Sequence, residues 1–210
     1  MSLAPARARE AAVGVGVTDR VENLSAIQEP GCAAAIWRRQ LPDGFQTWID
    51  DLSAASLPAA RLVLRPEEVG AAVQHLCART GIADDAKCAW LVADVSTLAA
   101  CFADIMQAPY LQVRLDVIET NACRRFHIDA IKARLICTYR GTGTQYGTFV
   151  DGAEPELVFT VPTGSPMIMR GTQWPETPKS GVLHRSPPIE GTGETRLVLV
   201  LDPIFELGTD

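Results

Sequence analysis

The chain has 210 residues, 47% hydrophobic and 21% charged, with a formal net charge of −6 and a pI near 5.1. That length supports one substantial core, and one domain is expected in preference to two. The acidic balance argues against a nucleic-acid groove, and no apolar run is expected to reach the ~20 residues that a bilayer-spanning helix needs.

Residues 1–30 read as a flexible leader. Met1 to Val17 is Ala-rich, carries Arg7, Arg9 and Glu10, ends in Val-Gly-Val-Gly-Val, and lacks the unbroken apolar core of a secretory signal. Residues 31–210 are expected to form the domain, with 31–108 a mainly helical shell and 109–210 a β core. The Ala-rich piece Cys32 to Arg39 is expected to be helical until Leu41-Pro42-Asp43-Gly44 breaks it. Phe45, Trp48, Ile49 and Leu52 then recur at helical spacing. Pro66-Glu67-Glu68 opens a helix striped by Val69, Val73, Leu76 and Cys77, and Gly81 stops it. The longest helix is predicted from about Asp84 to Met106, with Leu91, Val95, Leu98, Phe102 and Met106 as its stripe and Pro109 beyond its end. His75 lies off the stripe of its own helix and is expected to be solvated or to cap it.

After Pro109 the period changes from helical to alternating. Leu111, Val113, Leu115 and Val117 alternate with Gln112, Arg114 and Asp116, which is the pattern of a strand. Further strands are expected near 124–129, 133–139, 156–161, 166–170, 181–185 and 195–202. The turn-rich pieces between them include Gly141-Thr142-Gly143, Asp151-Gly152, Pro162-Thr163-Gly164 and Gly191-Thr192-Gly193. Helices first and strands afterwards define an α+β chain. In the last strand Arg196, Val198 and Val200 face one way and Leu197, Leu199 and Leu201 the other. A strand apolar on both sides is covered on both sides, which puts the helices outside a β-sandwich or barrel. Six cysteines without a Cys-x-x-Cys read as thiols buried in the fold, and the expected compartment is the cytoplasm.

The chemistry concentrates at Phe126-His127-Ile128-Asp129. On an extended strand residues two apart share a face, so His127 and Asp129 can act together; on a helix they would diverge by about 200°. His184 would complete two imidazoles and a carboxylate, the set whose open positions suit non-haem Fe(II). Cys123 is four residues from His127, about 13 Å along an extended strand, too far for one tetrahedral ion unless a bulge intervenes. Cys137, on a neighbouring strand, is another possible donor. Trp174 reads as core, and Gly141 to Thr144 as a turn, because it lacks the lysine and helix of a phosphate loop.

His127-x-Asp129, His184 and then Arg196 twelve residues later resemble the Fe(II)/2-oxoglutarate-dependent dioxygenases, whose fold is the double-stranded β-helix, a jelly-roll or cupin-like core. The pieces Cys123 to Asp129, Arg134-Leu135, Thr138 to Gly141, Gly143-Thr144, His184 to Pro188 and Arg196-Leu197 to Asp202 also resemble an uncharacterised bacterial family. Its association with zinc-homeostasis genes bears on which metal is bound. The resemblance implies Fe(II) held by His127, Asp129 and His184, with zinc as a native or substituting ion. It implies 2-oxoglutarate as cosubstrate, its far carboxylate received by Arg196, with Arg134 and Tyr139 as further contacts. By strand parity at most one of those two points into the pocket. The expected activity is hydroxylase-type oxidation of a small molecule or peptide, with no nucleic-acid or membrane partner. Leu-Val after Arg196 departs from the Arg-x-Ser pattern of one subgroup. A metal-binding protein without turnover is the alternative reading, and a β-rich interaction domain is a third.

Overall fold

The computed structural model describes residues 11–82, 85–148 and 154–207. In chain order the elements are β1 (Ala11–Ala12), β2 (Gly14–Thr18), β3 (Cys32–Trp37), α1 (Phe45–Asp51), β4 (Ala60–Leu64), α2 (Val69–Arg79) and α3 (Ala86–Met106). Then follow β5 (Tyr110–Ile118), β6 (Ala133–Arg140), β7 (Gln145–Thr148), β8 (Phe159–Thr160), β9 (Met167–Arg170), β10 (Lys179–Ser180), β11 (Val182–Arg185) and β12 (Arg196–Ile204).

Seven strands form one sheet in the order β2-β3-β9-β6-β12-β5-β4, and three form a smaller one, β11-β7-β8. The long strands β5 and β12 pair antiparallel from Arg196 opposite Ile118 to Ile204 opposite Tyr110. The two-sided apolar pattern of β12 is used on both sides. Leu197, Leu199 and Leu201 pack in one core with Leu91, Val95, Leu98 and Phe102 of α3. Val198 and Val200 pack in a second core with Met167, Met169, Val182 and Tyr146, filling the space between the large and small sheets. Each fully buried Leu or Val contributes about 1.5–3 kcal/mol, so both layers hold β12 in register. Among the described residues α3 is the one helix long and apolar enough to cross a bilayer by length and composition, contrary to expectation. Its stripe is spent on this core instead.

Two expectations need correction. Cys32 to Arg39 is not helical, because residues 32–37 form strand β3. The helix propensity of alanine is weak against tertiary pairing. β3 pairs with β2 on one side and β9 on the other, and Ala33, Ala34 and Ala35 are buried on both faces of the sheet. Nor are residues 11–30 a loose leader. They supply β1, β2 and a 3₁₀ stretch, Val21–Gln28, whose Leu24 and Ile27 are fully buried. Buried Arg170 stitches that stretch down by donating to the carbonyls of Ile27 (3.0 and 2.7 Å) and Glu29 (2.9 Å) while stacking on Trp174. Trp174 thus belongs to the core, as expected. Residues 1–10, the turn at Asp151-Gly152 and the helix start at Asp84 lie outside the described residues. Asp85 caps α3, its carboxylate accepting the Lys87 N–H at 2.7 Å. β4 and β7 were not anticipated, and of the strand expected at 156–161 only Phe159–Thr160 forms.

Candidate metal centre

Residues 124–129 do not form the expected strand. What replaces it is a single bridge: the His127 N–H donates to the His184 carbonyl and the His184 N–H to the His127 carbonyl, both at 3.0 Å. Residues that exchange both hydrogen bonds across an antiparallel pair project their side chains to the same side. The two imidazoles therefore meet, with ring centroids 4.4 Å apart. His184 is anchored on β11, opposite Tyr146 of β7.

Asp129 follows in a loop laced to the turn after β9. Thr172 N–H donates to the Asp129 carbonyl at 2.9 Å, Gly171 N–H to Lys132 at 2.8 Å, and Gln173 N–H to Ile131 at 3.0 Å. Only glycine fits at 171, since a Cβ there would lie 2.0 Å from the Ile131 carbonyl oxygen and 2.8 Å from that of Asp129. One donor atom from each of His127, Asp129 and His184 lies within 4.8 Å of the others, and among the described residues they are the one such group of histidine, cysteine and acidic side chains.

The donors are prepared for a cation. His127 Nδ1 lies 2.8 Å from the Arg125 carbonyl, which can only accept, so Nδ1 carries the proton and Nε2 offers its lone pair. Burial pushes the His184 pKa down, favouring the neutral imidazole a metal requires. Burial alone would raise the Asp129 carboxyl, but contact with His184, then the charges of Arg134 and His127, outweigh it and hold the pKa at about 2. Asp129 Oδ2 is 3.1 Å from His184 Nε2 yet is buried without a hydrogen bond, because that contact is not aligned for one.

His127 and His184 line a cavity of about 110 Å³ together with Arg134, Arg196, Val198 and Val200. Arg196 is 1% exposed, and its partners are neutral: Nε donates to the Thr142 carbonyl at 2.7 Å and Nη2 to Thr138 Oγ1 at 3.3 Å. Burial lowers its pKa to about 10, and Glu194 offsets this only in part. Glu194 instead grips Thr142, accepting its N–H at 2.6 Å and its hydroxyl at 3.0 Å.

Arg134 and Tyr139 take opposite faces, as parity required. Arg134 is in the cavity, where Nη1 lies 2.7 Å from Asp129 Oδ1 and the rest of the guanidinium engages Asp202. Tyr139 corrects the expectation of a cosubstrate contact. It is fully buried on the helical side, where its hydroxyl donates to Asp94 Oδ2 at 2.5 Å. Asp94 also forms a two-pronged pair with Arg39. Cys137 is buried on that same side and cannot reach the cluster. Cys123 is exposed beside His127 at the cavity wall, unlike the buried thiol expected, and is outside the three-residue group. Sequence reasoning gave no role at the site to Gly171, Thr138, Thr142, Glu194 or Asp202. Of these only Asp202 carried a signal, as an acid at the end of an apolar strand on the face of Arg196.

Solved structures place this architecture. A dioxygenase for auxin oxidation from Arabidopsis thaliana, solved as a binary complex with 2-oxoglutarate, matches at 12% identity over 94% of each chain, with a TM-score of 0.52. The rice dioxygenase for auxin oxidation matches at 13% identity over 91% of this chain and 83% of that one, with a TM-score of 0.50. At such identities the likeness is one of fold, an α+β chain with the double-stranded β-helix core of 2-oxoglutarate–Fe(II) oxygenases. The chain belongs to the family described as "Protein of unknown function (DUF1826)", whose profile matches residues 18–202. No curated protein matches it.

Proposed function

We propose that this protein is a non-haem Fe(II)/2-oxoglutarate-dependent oxygenase acting on a small molecule or a peptide. The observation that carries the reading is one cavity walled both by the two histidines of a His-Asp-His donor cluster and by a buried guanidinium with only neutral partners. Two imidazoles and a carboxylate fit Fe(II) by donor type, and the unpartnered Asp129 Oδ2 is an acceptor that a cation would satisfy. Arg196 fits the remote carboxylate of 2-oxoglutarate for the complementary reason. A buried cation without a counter-ion gains from a carboxylate that meets its planar fork.

Bound ferrous iron with 2-oxoglutarate would supply oxidising power from dioxygen. The chain's own residues hold and orient. His127 and His184 present ring nitrogens, Asp129 offsets part of the metal's charge, and Arg196 fixes the far end of the cosubstrate. Val198 and Val200, between the two polar ends of the cavity, keep water from the stretch in between.

The test is anaerobic titration of Fe(II)-loaded protein with 2-oxoglutarate, followed by its visible absorption and melting temperature, then exposure to oxygen with succinate measured. Joint binding and succinate release are expected. An unchanged spectrum and melting temperature would remove the oxygenase reading. The same donors accept Zn(II), so the titration begins from metal-stripped protein.

A further inference from the structure

Arg134, expected to touch the cosubstrate, is fully occupied elsewhere. Its Nε donates to Asp202 Oδ1 at 2.6 Å and its Nη2 to Asp202 Oδ2 at 2.7 Å, a fork-to-fork pair. Its remaining edge, Nη1, lies 2.7 Å from Asp129 Oδ1. Asp202 is 5% exposed and sits on β12 on the face of Arg196. Arg114 stands 3.6 Å from Asp202 Oδ2, so Asp202 is itself held from a second side.

We infer that Arg134, fixed by Asp202, is the positioning residue that selects which oxygen of Asp129 is offered to the metal. The backbone of Asp129 is already fixed by Thr172, so the carboxylate's freedom is torsion about its own side chain. Arg134 removes that freedom by engaging Oδ1. The oxygen left over is Oδ2, buried, unpartnered and turned towards His184. A carboxylate committed in this way gives one oxygen, and the protein then gives three donors in all. Released, it can turn and offer both oxygens, filling a position that a chelating cosubstrate needs. Arg134 touches neither substrate nor cosubstrate in this assignment; it acts through Asp129. The inference rests on the metal reading above.

The test compares metal-free wild type with Arg134→Leu, Arg134→Ala, Asp202→Asn and the double variant Arg134→Leu/Asp202→Leu, using Co(II) as probe, since its visible spectrum reports coordination number. Loss of such an outer partner typically weakens metal binding about 10- to 100-fold. That loss, with an altered Co(II) spectrum, is expected for Arg134→Leu, and a smaller loss for Asp202→Asn. The double variant removes the carboxylate that the single one strands, so it should fold as wild type does while still binding Co(II) weakly. Millimolar guanidinium added to Arg134→Ala should restore part of the affinity and the native spectrum, which a purely structural role would not predict. If the double variant keeps wild-type affinity and spectrum, Arg134 has no positioning role and the metal reading stands. If wild type itself binds no Co(II), the metal reading falls and takes this inference with it.

Discussion

Replacing Arg196 by Met should weaken cosubstrate binding without harming the fold, and the structure supports both halves of that statement. Burial lowers the guanidinium's pKa from its ordinary value to about 10. A cation whose folded-state pKa lies below its unfolded value destabilises the fold. The cost is fully present below pH 10 and fades only above it, as the folded state loses the proton first. At neutral pH it amounts to about 3 kcal/mol. Met removes that cost but leaves the Thr142 carbonyl without its donor, a loss of about 1–3 kcal/mol. The net effect on the metal-free protein is between zero and a gain of about 2 kcal/mol, and at this size each kcal/mol moves the melting temperature by about 2–4 °C. Binding should respond oppositely, because truncating one partner of a buried charge pair costs about 2–5 kcal/mol, a roughly 30- to several-thousand-fold weaker Kd. The assay is thermal denaturation of the Mn(II)-loaded protein with and without 2-oxoglutarate. At a hundred times the wild-type Kd, wild type should gain about 2.7 kcal/mol, roughly 5–10 °C, and the variant no more than about 0.9 kcal/mol at that concentration. A variant that 2-oxoglutarate stabilises as much as wild type, or one whose metal-free form melts well below it, would refute the reasoning.

Gly171→Ala places a methyl 2.0 Å from the Ile131 carbonyl, so the loop carrying Asp129 must shift; calorimetric titration should show Mn(II) affinity falling about tenfold or more. Tyr139→Phe removes one hydrogen bond to a charged partner and should cost about 1.5–3 kcal/mol in urea denaturation, with the Kd for 2-oxoglutarate unchanged within about twofold. A large change in that Kd would return Tyr139 to the cosubstrate site. Because Asp129 has its pKa lowered from 3.8 to about 2, its stabilisation is full above pH 4 and fades as pH falls towards 2. The stability difference between metal-free wild type and Asp129→Asn, followed by urea denaturation, should therefore shrink across that window.

What the sequence disclosed follows from how many competing forces act on each stretch. The stripe of α3 and the alternation of β5 and β12 were legible because their periods reflect burial, and burial decided the outcome. The alanines of β3 were misread because a small residue carries little periodic signal, and pairing with β2 and β9 lies far away in the chain. The cluster at His127, Asp129 and His184 was found for a partly wrong reason. The expected strand would have put His127 and Asp129 on one face by parity, whereas the structure aligns His127 with His184 through one bridge and places Asp129 through the turn at Gly171. Parity did succeed for Arg134 against Tyr139, since the register of β6 with β12 holds from Leu135 to Thr138 and shifts only at Tyr139. The Asp202 partnership was beyond parity, because it joins side chains 68 residues apart and depends on β6 lying beside β12.

β12 explains why a metal end and an anion end can be kept at a fixed separation in so small a cavity. Arg196 and Asp202 sit six residues apart on one face of a single strand, about 20 Å along an extended backbone. The first presents a cation to one end of the cavity, and the second holds Arg134 against the Asp129 carboxylate at the other. Val198 and Val200 between them are cavity wall, so the span cannot shorten without unmaking that surface. On the opposite face Leu197, Leu199 and Leu201 are locked into the helical layer, where a one-residue slip would exchange the leucines for Arg196 and Asp202. The apolar half of the strand therefore sets the register, and the register keeps both polar ends on the cavity side.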